Sequence, residues 1–199
     1  MHPNPVFRVK DRAQLRQFVD TVGFGKVFAS TPDGPRVVHT PFIWASDDHV
    51  QFHLSDRNAL CAHLADGPAL AVVDGPHGYV SPRWYAVRDT VPTWDYVTLE
   101  LEGGVRKLTD DELEIFLHRL IEREEERLGG DRWAAGEASE PLWRSQFRAI
   151  TGFELAITDW RATFKLSQKK SAEERAAIAQ GHAHAGNAPL AQAMRALDT

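Results

Sequence analysis

A mainly β fold with helices is expected from this chain, its strands rolled into a closed or nearly closed barrel, with a short helical appendage at the C-terminal end. Three observations carry that expectation. Short runs that alternate apolar and polar residues, as in Val50-Gln51-Phe52-His53-Leu54, recur at small intervals. Turn signals such as Pro32-Asp33-Gly34-Pro35 separate them. The long crossover helices of a doubly wound sheet are missing between most of these runs, and many short strands usually hide their edges by closing on themselves.

Residues 11–22 place Leu15, Phe18, Val19 and Val22 on one helical face, which Gly23 and Gly25 stop. Lys26–Ser30 reads as a strand and Val37–Trp44 as a second, with Ser46-Asp47-Asp48 turning into a third at Val50–Leu54. Ser55-Asp56-Arg57-Asn58 offers a cap for a short helix containing Leu60, Cys61 and Leu64, which Gly67-Pro68 ends. Ala69–Val73 is a continuous apolar run, as in a central strand. Asp74–Gly78 then turns into an aromatic stretch, Tyr79–Tyr85 followed by Thr90–Tyr96. It holds two tryptophans and all three tyrosines, with Pro82 and Pro92 limiting its backbone. Such rings suit a planar ligand, another subunit, or simply a bulky core.

Tyr96–Glu102 alternates again before Gly103-Gly104. Thr109 with Glu112 forms a capping-box pattern, opening a helix whose stripe is Leu113, Phe116, Leu117, Leu120 and Ile121. Glu122, Glu124, Glu125 and Glu126 belong to its solvated end, and Gly129-Gly130 stops it. Trp133 and Trp143 flank a loop, and Phe147 and Ile150 mark a short helical segment. Gly152–Ile157 and Trp160–Leu166 read as a final strand pair with Asp159 near the turn. Ser171 with Glu174 starts a helix reaching Ala179, Gly181–Asn187 reads as a loop, and 188–197 as a terminal helix. The economical division is residues 1–170 as one domain and 171–199 as the appendage.

Twenty-three basic against twenty-eight acidic residues give a net charge of -5, which offers no support for strong nucleic-acid binding. The lone Cys61 excludes an intrachain disulfide. No apolar run approaches the roughly 20 residues of a membrane span, and residues 1–5 lack a signal-peptide pattern. A soluble, cytoplasmic protein is therefore expected. The histidines are dispersed, and His182-Ala183-His184 lacks a third ligand, so no metal site is assigned. Ser81 has no evident base, and no catalytic residue is assigned.

Several separated motifs, in order, resemble the PaiB family of FMN-binding negative transcriptional regulators. They are Phe24-Gly25, His39-Thr40-Pro41, His53-Leu54-Ser55, Asn58, Tyr79–Tyr85, Pro92-Thr93-Trp94-Asp95-Tyr96 and Lys165-Leu166-Ser167-Gln168. The resemblance covers nearly the whole chain. It departs after Gln168, where the family's Asn-Arg is Lys169-Lys170 and an amide is lost. It implies a split β-barrel like that of the pyridoxamine-phosphate oxidases, in a homodimer that holds FMN between subunits. By that analogy the isoalloxazine lies along His39, Thr40 and Pro41, and the phosphate near His53, Leu54, Ser55, Arg57 and Asn58. Tyr79, Ser81, Trp84, Pro92, Thr93, Trp94 and Tyr96 form the wall, and Lys165, Ser167 and Gln168 approach from the C-terminal side.

The side chains allow these roles and plainer ones. Arg57 suits a bidentate phosphate contact or a solvated turn. Ser55 and Asn58 can donate to phosphate or cap the next helix. Lys165 can add charge near a ligand or guard a strand edge. Strand alternation sends His39 and Thr40 to opposite faces, so at most one side chain meets a shared ligand. The function implied is an FMN-binding, redox-responsive regulator, with DNA as a partner through the resemblance alone. The alternatives are an FMN-dependent oxidoreductase or flavin reductase acting on a small redox substrate, and a haem-binding protein of the same architecture with a histidine or another axial ligand.

Overall fold

The computed structural model describes residues 2–65 and 67–197. Met1, Asp66 and the last two residues of the expected appendage, Asp198 and Thr199, lie outside the described residues. In chain order the elements are α1 (Arg12–Val22), β1 (Phe24–Thr31), β2 (Gly34–Pro41), β3 (Ile43–Trp44), β4 (His49–Ser55), β5 (Pro68–Val80), β6 (Thr93–Lys107), α2 (Asp110–Leu128), α3 (Glu140–Phe147), β7 (Ile150–Lys165), α4 (Ala172–His184) and α5 (Ala188–Arg195). Both capping boxes form: Thr109 and Glu112 open α2, and Ser171 and Glu174 open α4.

The expected split barrel does not form. The strands make one open seven-stranded sheet in the order β2-β1-β5-β6-β7-β4-β3, with β2 and β3 at its edges. Two features explain the correction. The strands are not uniformly short: β5, β6 and β7 run for 13, 15 and 16 residues and carry the middle of the sheet. β3 is only two residues long and pairs with β4 at Ile43–Gln51 and Trp44–Val50. A strand that short leaves little edge to protect, so closure is not needed to hide it. A side chain links β2 to β4, the Thr40 hydroxyl donating to the His53 carbonyl at 2.7 Å.

Two local expectations also change. β7 continues through Asp159 as one strand rather than turning there. α4 runs through Gly181 to His184 instead of ending near Ala179. Gly181 is needed inside this helix because the Trp84 indole lies against it, where an added Cβ would collide with the ring. The steric demand outweighs the roughly 1 kcal/mol that glycine costs a helix interior.

The chain forms two compact units. One comprises Gln17–Val73 and Glu100–Trp160. Its core includes Phe42, Phe52 and Phe153, with the last two stacked at 5.6 Å. Leu113 and Phe116 of α2 pack on Ile43 and Leu108. Arg106 grips both Glu112 oxygens at 2.8 and 2.7 Å and donates to Glu154 at 2.9 Å, while Gln51 donates to Glu154 at 2.9 Å. The Arg106 fork holds the Glu112 carboxyl down at about 2. Arg119 and Arg123 donate to the carbonyls of Trp44 and Phe42, which fixes α2 over the chain around β3.

The other unit comprises Met1–Arg16, Asp74–Leu99 and Arg161–Thr199. α4 and α5 form a hairpin with Ile178, Ala179, Leu190, Ala191 and Met194 buried. Asn187 caps α5 and also donates to the His77 carbonyl at 2.8 Å, which ties the hairpin to β5.

Candidate flavin-binding site

In the first of these units, β2 and β4 present a cleft of about 430 Å³. It is lined by seven residues singled out from sequence, His39, Thr40, Pro41, His53, Leu54, Ser55 and Asn58, together with Val37, Val38 and Ile150. Arg57 does not line it and stands on the exposed turn between Ser55 and Asn58. The expected alternation holds: His39 is exposed, whereas Thr40 is 1% exposed and spends its hydroxyl proton on the His53 carbonyl. Asn58 commits its carbonyl oxygen to the Leu60 amide at 2.9 Å, and its NH2 remains able to meet a ligand.

His53 is the informative residue of this cleft. Its ring lies 5.6 Å from Phe116, and its buried Nδ1 has no hydrogen-bond partner. Burial lowers its pKa below the ordinary 6.5, so the imidazole is neutral near pH 7. An orphaned buried polar atom costs about 1–3 kcal/mol, and such atoms collect where a ligand supplies the missing partner.

The remaining predicted residues fall in the other unit. Asp95 is 0% exposed and accepts from Ser167 Oγ at 2.6 Å and from Lys165 Nζ at 3.3 Å. Lys165 also donates to Thr93 Oγ1 at 2.7 Å and to the Trp94 carbonyl. An ammonium has three protons, and these three acceptors use them all. Ser167 holds φ at 59°, the only positive φ among the described non-glycine residues. Gln168 closes the segment on itself, accepting from Leu166 N at 2.8 Å and donating to the Phe164 carbonyl. Lys165, Ser167 and Gln168 are thus committed within their own unit, around a carboxylate to which the sequence reading gave no role. The signal available for Asp95 was its place on an alternating strand, at a position facing inward.

Trp94 and Tyr79 are about half exposed and meet edge to face at 6.3 Å, with Trp94 Nε1 donating to His77 Nδ1 at 3.2 Å. Ser81 caps the short turn Pro82–Trp84 through Arg83 N. Trp84 meets His182 edge to face at 4.8 Å. Tyr96 is half buried and Pro92 exposed.

Residues 1–159 match the protein family described as "Putative FMN-binding domain". The chain belongs to this FMN-binding family. Among curated relatives of this FMN-binding domain, "Protease synthase and sporulation protein PAI 2" of Bacillus subtilis (strain 168) is 31% identical over 170 residues, covering 83% of this chain and 81% of the relative. Among solved structures, the FAD and heme binding protein from Mycobacterium smegmatis aligns with a TM-score of 0.62 at 19% identity, covering 85% of this chain and 78% of the other. The flavocytochrome Anf3 from Azotobacter vinelandii aligns with a TM-score of 0.60 at 20% identity, covering 88% and 78%. Both structures share the fold of this chain. Family membership supports FMN as the cofactor.

The β2–β4 cleft fits the phosphate-bearing end of FMN in donor chemistry. Ser55 offers a hydroxyl, Asn58 an amide and His53 a neutral ring nitrogen, while Arg57 places a cation on the turn that joins Ser55 to Asn58. No helix among the described residues is long and apolar enough to cross a membrane.

Proposed function

We propose that this chain is an FMN-binding homodimer that acts as a redox-responsive transcriptional regulator of the PaiB type. The observation that carries the flavin reading is the orphaned His53 Nδ1 in a cleft that also holds Ser55 and Asn58. In this reading Ser55 and Asn58 hold the phosphate and Arg57 offsets its charge, while His53 donates or accepts one neutral hydrogen bond. Bound FMN supplies reversible electron and hydride chemistry. The Asp95–Lys165–Ser167 knot keeps the aromatic segment in one shape and contributes no spare donor. The regulatory part draws support from the relation to the PAI 2 protein.

The first test is the visible absorption spectrum of protein purified without added cofactor, followed by denaturation to release the flavin. Folded protein that carries no FMN and takes none up would end the reading. Light scattering on the eluted peak reports the dimer, and DNA titrations at low and high salt report the regulatory role.

A second reading is an FMN-dependent oxidoreductase. The exposed His39 and Ser55 leave the cleft approachable from solvent, and flavin chemistry requires no catalytic side chain. Steady oxidation of NADH or NADPH with an electron acceptor would favour it over regulation.

A further inference from the structure

We propose that the unit containing α4 and α5 carries a second ligand site, of different composition from the flavin cleft, that takes a small planar aromatic anion. The site is a cleft of about 440 Å³ between the Pro82–Trp84 turn and α4. Arg83, Trp84, Gln180, Gly181 and His184 line it, with two alanines. No carboxylate is among those residues, although the whole chain carries a net charge of -5. The fully charged side chain on its lining is a cation, Arg83.

Trp84 is a built wall rather than a loose side chain. Its ring rests on Gly181, where a Cβ cannot fit, and it meets the His182 ring at 4.8 Å with the planes inclined by 67°. His182 is 2% exposed and its Nε2 has no partner. His182 does not itself line the cleft; it buttresses the indole that does.

A fixed indole offers a stacking surface to a flat ring, and the adjacent Arg83 guanidinium offers a fork that matches a carboxylate. Gln180 and His184 stand four residues apart on one side of α4 and add polar edges. The same two residues also line the adjoining cleft, of about 580 Å³, which contains Arg175 and Arg195. Cations thus flank the Gln180–His184 ridge on both sides, and a neutral or cationic aromatic would gain less there than an anion.

The test is calorimetric titration of the full chain, as purified, with anthranilate. Anthranilamide serves as its uncharged twin and inorganic phosphate as an anion without a ring. Anthranilate should bind once per chain, with the amide and phosphate each at least about tenfold weaker. Arg83→Gln should weaken anthranilate at least about fivefold and leave the flavin content unchanged. Trp84→Leu should weaken it as well. Absence of anthranilate binding, equal binding of the amide, or indifference to Arg83→Gln would overturn the proposal. Displacement by excess FMN would also overturn it, by assigning the ligand to the flavin cleft, whereas failure of the flavin reading itself would appear only in the absorption spectrum.

Discussion

Asp95 shows how a single buried charge can govern a segment. Its carboxylate is fully enclosed and holds Lys165, whose side chain is only 14% exposed, together with the strained Ser167. Asp95→Ala should destabilise the protein by about 3–5 kcal/mol in urea unfolding, because it strands a mostly buried ammonium. The double variant Asp95→Leu with Lys165→Met should recover most of that loss, since it removes both charges; equal damage from both variants would mean that packing, not charge, dominates. His53 and His182 make the opposite kind of statement. Burial lowers both pKa values below 6.5; for His182 the Asp95 charge opposes the shift without cancelling it. The unfolded chain then binds more protons than the native one as pH falls below about 6.5. Their contribution to stability is therefore complete above that pH and declines as pH drops toward the lower native values. Chemical denaturation between pH 7.5 and 5 should show this decline, and His182→Leu should flatten part of it. None of these environments was legible from sequence. Lysine, aspartate and histidine look alike whether solvated or enclosed, and their burial depends on strands distant in the chain.

Helices and strands were more legible than their lengths. The capping boxes of α2 and α4 were readable because each depends on two residues three apart. Thr109→Ala should cost about 1 kcal/mol, measured as a shift in the denaturation midpoint. The extent of β7 and α4 was not readable, and for α4 a tertiary neighbour overrides the local signal. Gly181 reads as a helix stop until Trp84 is seen against it. The pair Gly103-Gly104 makes the same point within β6. A Cβ at Gly103 would strike the Ala156 backbone carbonyl, whereas Gly104 faces open space. Gly103→Ala should therefore destabilise by about 3 kcal/mol, the upper end for overpacking. Gly104→Ala should change stability by no more than about 0.5 kcal/mol. Similar thermal shifts for the two would contradict the packing described for β6 against β7.

Across the molecule, the cofactor should act as part of the folded state. FMN at about one hundred times its dissociation constant should stabilise the native protein by about 2.7 kcal/mol. For a chain of this size that corresponds to a rise of about 5–10 °C in the thermal midpoint. A scan with and without FMN measures it, and Ser55→Ala should reduce the rise at fixed FMN concentration. Local order along the chain was enough to establish a mainly β fold, the order of most of its elements and the helix starts. Those properties rest on contacts a few residues apart or on alternation along a strand. Whether the sheet closes, which donors are already consumed, and where a histidine loses its solvent depend on pairings between remote segments. Such pairings are set by packing and by competition among hydrogen-bond partners, and a linear pattern does not encode the winner.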